Sequence, residues 1–205
     1  MAIITESIPL QGFGLVANRI AEILVEEIAN QVEIQGFQEN VEVWLERIEP
    51  MDKSEDVMIS VAFKEDDFEG YTQSSSSGNC MYFIDLFCSG YGQDEVLPSI
   101  VSKTKLYRYL SLIRYILSSG KMPTLLFERG LISTKHIKKI MVDTDYSNFG
   151  NHSNYDASYI RFARVIFIVG VYENQQLWEG QPLLGNNSKI NYENTSKGVK
   201  LIFNN

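Results

Sequence analysis

Gly12-Phe13-Gly14-Leu15-Val16-Ala17 fits the glycine-rich dinucleotide pattern with alanine in last place, and Glu33 stands 21 residues beyond Gly12, near where a ribose-binding acid belongs. That chemistry needs a strand delivering the turn and a helix N-terminus facing a pyrophosphate. Here Pro9 interrupts the preceding segment, and the strands that follow lack the crossover helices of a parallel sheet. The glycines are therefore read as a flexible helix entry. His136 and His152 have no second His or Cys at ligand spacing, so they read as incidental rather than as metal ligands or general bases. No Gly-x-Ser-x-Gly elbow or Walker loop occurs, and no Asp or Glu stands two residues before a Lys, which removes the usual metal-nuclease element.

Other reactive side chains have structural readings. Cys80 and Cys88, eight residues apart in one strand-like run, would lie roughly 26 Å apart, beyond disulfide reach, so both are expected as free thiols. Alternation puts Asp85 on the Phe83/Phe87 face of a strand, with a basic partner expected from a following helix (Lys105 or Arg108). Glu65, Asp66, Asp67 and Glu69 would suit a divalent ion but read as a solvated loop. Lys103, Lys105, Arg108 and Arg114, interleaved with Tyr107, Tyr109 and Tyr115, resemble a phosphate-binding stripe. Against that, the apolar face of the same helix claims tyrosines for packing, and a net charge of −8 repels DNA. No catalytic, cofactor-binding or metal-binding residue is assigned, so the expectation is a protein that is not an enzyme and carries no cofactor.

The 205 residues, 44% hydrophobic, suffice for one domain with a core. No apolar run is long enough to span a membrane. The first ten residues, with Glu6 and Pro9, do not read as a secretory leader, so a cytosolic setting is expected. Charge is unevenly placed: residues 1–100 hold four basic and nineteen acidic side chains, and residues 101–140 hold nine basic and one acidic. Two solvated faces are one outcome. A basic surface meeting the acidic surface of the next subunit, head to tail, is the other.

Val16, Ile20, Ile23, Leu24 and Ile28 predict a helix from about Gly12 to Asn30, with Gly36 as breaker. Alternation predicts strands at Val41–Leu45 and Val57–Phe63, and Met81–Cys88 reads as a more central strand. Between the last two, residues 64–79 read as a mobile hairpin arm. Pro98 opens a second helix to about Ser119, and His136–Val142 is a weak strand. Tyr159–Tyr172 is apolar enough for the middle of a sheet, and residues 188–205 read as a hairpin. The predicted fold is a single α+β domain over 1–205: a mixed, mainly antiparallel sheet with two helices packed on one face.

This order resembles a known family. A helix such as Leu15 to Ala29 comes first, then Val41-Glu-Val-Trp-Leu-Glu-Arg-Ile-Glu-Pro50. A strand pair ending in Tyr82-Phe-Ile-Asp-Leu-Phe87 follows, and then a helix such as Tyr107 to Leu117. The layout is similar to the tail-terminator and neck (head–tail joining) proteins of long-tailed bacteriophages and related contractile particles, over roughly Gly12 to Leu117. It is a likeness of element order, without a signature motif. The resemblance implies a virion protein assembled in the host cytoplasm as a hexameric ring. Such a ring caps the tail tube, and the sheath where one exists, stops tube growth and faces the head connector protein. DNA passes through its lumen without specific binding, and no membrane is involved. On that basis Glu42 and Glu46 are expected to face the lumen. Lys135, Lys138, Lys139, Glu65, Asp66, Asp67 and Glu69 are expected at subunit or partner interfaces. A strand through Val199, Leu201 and Phe203 is expected to add to a neighbour's sheet edge. Two other classes stay open: an acidic cytosolic adaptor or immunity-type module, and a cofactor enzyme built on Gly12–Ala17.

Overall fold

Helix α1 (Gly12–Gln35) buries Val16, Ile20, Ile23, Leu24 and Ile28 along one stripe, the amphipathic pattern that drives a helix onto a core. It ends at Gly36, whose φ of 67° is left-handed and free of the Cβ penalty only in glycine. The Phe37 N–H closes the cap on the Val32 carbonyl at 3.0 Å. The helix outruns the expected end at Asn30 because Val32 still packs against the core and this cap holds the last turn.

A computed structural model describes residues 7, 10–47, 49, 51–52, 54–71, 75–90, 97–127, 130–143, 160–174, 190–195 and 198–203. After α1 come β1 (Val41–Leu45), β2 (Val57–Tyr71), β3 (Ser75–Ser89), α2 (Pro98–Ser118), β4 (Ile132–Asp143), β5 (Ile160–Asn174), β6 (Ile190–Thr195) and β7 (Gly198–Phe203). They form one seven-stranded sheet in the order β4-β5-β3-β2-β1-β7-β6. β1 and β2 run parallel, with Val41 beside Val57, and every other neighbouring pair is antiparallel. This is the expected α+β class.

Alternation sorts the strands into two faces. Val57, Ile59, Val61, Tyr82, Ile84, Leu86, Val165 and Phe167 share one core with both helices. There α1 covers β1, β2 and β7, and α2 covers β3, β5 and β4. The opposite face carries a small cluster of Trp44, Met51 and Met58, with Phe87 and Ile160 packed on it. Burying each large side chain contributes roughly 1.5–3 kcal/mol.

Three expectations change. The 64–79 stretch is a hairpin, but a hydrogen-bonded one rather than a loose arm. Ser76–Asn79 pair with β2 on one side, and Ser75–Asn79 pair with Gly170–Asn174 on the other. Serines and acids hid this strand because their partner lies about a hundred residues away. Gly120 does not stop α2, whose cap is Ser119 with extended backbone (φ −60°, ψ 129°). The strand through Val199, Leu201 and Phe203 is not an open edge: β7 pairs with β6 throughout and with β1 at Trp44–Lys200 and Leu45–Val199. An incoming strand would meet β6 instead.

Candidate functional site

The glycine motif opens α1, the first element of the described fold, and Leu10 and Gln11 before it are not strand. A Glu173 carboxylate oxygen from β5 accepts the Phe13 N–H at 3.2 Å, filling the place where a pyrophosphate would sit. Gly12 is required for that approach: a Cβ there would stand 2.6 Å from Glu173 Oε1 and 2.8 Å from Val171 Cγ1. The Tyr82 hydroxyl donates to the Phe13 carbonyl at 2.9 Å. Nearby, the buried Cys80 thiol donates to Asp66 at 3.2 Å. Burial, reinforced by that hydrogen bond, pushes this thiol up to about 12, which makes it a poor nucleophile. The Cys88 thiol is likewise raised by burial. This region anchors a helix to a sheet.

The basic stripe of α2 is divided. Lys105 pairs with Asp56 at 2.9 Å, and Arg108 pairs with Glu39 at 2.9 Å. The Arg108 guanidinium stacks on Phe37, and buried Tyr109 donates to Glu39. These contacts tie α2 to the segments on either side of β1, so part of the charge separation along the sequence is neutralised inside one chain. They also leave Asp85 with a partner other than those expected. Its cross-strand neighbour Arg164 grips it with two bonds of 2.6 and 2.7 Å and lies over Phe83. Arg164 is raised, chiefly by this bond. Lys105 and Arg108 project from a helix on the other face and cannot reach it.

On the solvent side of α2, Lys103, Tyr107 and Arg114 are exposed. At about 100° per residue they lie within roughly 40° of one line. That line leads into a groove of about 530 Å³ between the end of α2 and edge strand β4. Arg114, Ser118, Lys135, His136, Lys138 and Lys139 line it, with no acidic side chain among them. β4 has bulges between Ile132 and Thr134 and between Ile137 and Lys139, so Lys138 is an unpaired residue added to the strand.

Lys135 has a different task from the one expected. Its ammonium donates to the Leu117 and Ser119 carbonyls at 2.8 and 3.0 Å, capping a helix with no basic residue in its last turn. Burial lowers its pKa. Lys138, Lys139 and His136 remain exposed at the groove.

Across the sheet lies a second charged edge. β1 pairs with β2 only from Val57 to Val61. The Glu46 N–H makes a last bond to the Val61 carbonyl at 2.9 Å, and Glu46 then turns away at φ 49°. Among the described residues no strand pairs with the far side of Ala62–Tyr71. Its register sets Glu65 opposite Met81 and Asp67 opposite Asn79, so these two carboxylates share the face turned away from the helices. Glu65, Asp67 and Glu69 are exposed, whereas Asp66 is half-buried and accepts from Cys80.

Of the expected lumen pair, Glu42 shares the face of Trp44, and Glu46 is exposed at the end of β1. Glu42 lies beside Met58, about 23 Å along β2 from Glu65, so the fold does not gather these acids at one place. His152 lies outside the described residues. No group of three or more His, Cys, Asp or Glu among the described residues could hold a metal ion. None of their helices is long and apolar enough to cross a membrane. Sequence reasoning missed Arg164, Glu173 and the Arg47–Glu55 pair. Only the strand register brings each to its partner, although a lone acid facing aromatics at Asp85 signalled that some cation must meet it. No family model matches the chain, and no curated protein matches it in sequence.

Proposed function

We propose that this chain is a structural subunit that assembles with copies of itself into a ring of the tail-terminator or neck type. The ring ends a phage tail tube, meets the tube protein (and sheath, where present), faces the head connector and lets DNA through its lumen. The supporting observation is the placement of unlike charge on opposite sides of one sheet: cations at the α2–β4 side, carboxylates along the open edge of β2. Like sides repel and unlike sides attract, which favours a head-to-tail contact that closes into a ring. The order α1-β1-β2-β3-α2 on which the family resemblance rests is compatible with this role. The groups best placed for chemistry are instead engaged in anchoring α1 and α2.

The test is solution mass across concentration, with negative-stain images of any large species. Closed rings with a central hole are the expected result. A monomer at every concentration refutes the reading. A dimer that grows no further refutes it as well and points to the adaptor class, because a two-fold contact uses one patch twice and cannot extend.

A further inference from the structure

The ring reading leaves open which surfaces meet, and the following rests on that reading. We propose that the groove between α2 and β4 receives the open acidic edge of β2 from a second copy, with Glu65, Asp67 and Glu69 facing Arg114, Lys138 and Lys139.

Four observations support this occupant. Among the described residues no strand covers the far backbone edge of Ala62–Tyr71, ten residues or about 33 Å of strand. Glu65 and Asp67 lie on one face, separated by about 6.7 Å, so both can meet the same partner surface. The groove has a cationic rim, and its lining includes apolar Leu117, Ile137 and Ile140, which would sit under the stems of the entering side chains. Tyr107 and Tyr115, 50% and 75% exposed on α2 outside the groove lining, are of a residue type enriched at interfaces.

Bulges on both edges, between Phe63 and Glu65 and between Phe68 and Gly70 on β2 and twice on β4, interrupt a continuous backbone ladder. The contact is therefore made mainly by side chains. The charges also set its polarity. β4 against β4 places lysine against lysine, and β2 against β2 places acid against acid. Only the unlike pairing is attractive, so each copy uses one edge to give and the other to receive.

Two variants test this. Lys138→Glu with Lys139→Glu breaks the groove and keeps the β2 edge. Glu65→Lys with Asp67→Lys does the reverse. All four side chains are exposed, so both variants should melt with the wild type. Should the reversal disturb folding, Lys138→Gln with Lys139→Gln serves, with a smaller effect in the same direction. Each variant alone should be monomeric where the wild type assembles, with at least about a hundredfold weaker association. Mixed one to one, they should assemble again, because the acidic edge of the first meets the unchanged groove of the second and the acidified groove of the first faces the lysine edge of the second. Salt should weaken the wild-type contact.

A wild type that assembles while both reversals assemble equally well overturns this contact and leaves the ring reading standing. A mixture of folded variants that stays monomeric overturns it too. If the lysine reversal abolishes binding of labelled duplex DNA and leaves assembly unchanged, the groove is a phosphate site and the inference fails. A wild type monomeric at every concentration removes the ring reading along with the contact.

Discussion

Removing the Glu55 side chain should destabilise the protein by about 3 kcal/mol, more than its position in a connecting loop suggests. Residues 46–56 carry the chain back so that β2 can run parallel to β1, a connection usually made by a helix. Here an ion pair holds it. Arg47 Nη1 and Nη2 each donate to Glu55 at 2.9 Å. The side chains are 0% and 13% exposed. The guanidinium lies 4.8 Å from the Trp44 ring centroid, and its Nε donates to the Glu49 carbonyl at 3.1 Å. Glu55 also accepts the Asp52 N–H at 2.7 Å.

Breaking a buried pair from one side costs roughly 3–5 kcal/mol, because a desolvated charge stays behind. The slight exposure of Glu55 places this case at the lower end. For a domain of this size the loss corresponds to a fall in Tm of about 6–12 °C. Urea unfolding followed by far-ultraviolet circular dichroism measures it. The double variant Arg47→Met with Glu55→Leu removes the desolvation cost along with the attraction, and should return to within about 1 kcal/mol of the wild type. A Glu55→Ala protein within about 0.5 kcal/mol of the wild type, inside the spread of ordinary surface substitutions, would refute the reasoning. So would a double variant as unstable as the single one.

Other expectations follow from the anchoring contacts. Gly12→Ala would place a Cβ 2.6 Å from Glu173 Oε1 and should cost about 1–3 kcal/mol in the same urea assay. Lys135→Met should cost about 1–2 kcal/mol and speed amide exchange in the last turn of α2, whose carbonyls it caps. Cys80 is raised from 9.0 to about 12, so above pH 9 the folded protein keeps a proton that the unfolded chain has lost. Its contribution is complete below pH 9 and falls as pH rises toward 12, by up to about 1.4 kcal/mol per unit. Cys80→Ala should remove that part of the slope in unfolding curves on either side of pH 9.

Much of the fold was legible because apolar spacing carried it. β1 lies where Val41, Val43 and Leu45 alternate, and α2 begins at Pro98, where proline's missing N–H is harmless. The distal halves of β2 and β3 were not legible, since Lys64–Glu69 and Ser75–Asn79 are composed like a loop. They are strands because β5 supplies a partner along Ser75–Asn79, a tertiary effect that overrides propensity. The charge asymmetry along the chain was legible, but not which of its cations are spent on contacts within the chain. Lys105, Arg108 and Lys135 differ from Lys103, Arg114 and Lys138 in what lies opposite them, which spacing along one chain does not contain.

That division bears on the edges. An exposed edge strand has to be guarded, and lysines with bulges are a common guard, so charge on β4 alone says little about assembly. Guarding, however, is indifferent to sign: cations on both edges, or carboxylates on both, would keep copies apart equally well. Here edge strand β4 and the second half of β2, whose far side no strand covers among the described residues, carry opposite signs, an arrangement that blocks each from its own kind and offers it to the other. If the charges only guard, giving both edges the same sign through Lys138→Glu with Lys139→Glu should leave the oligomeric state untouched. If they dock, the same change should arrest assembly while the fold, which uses neither side chain in a described contact, remains as it was.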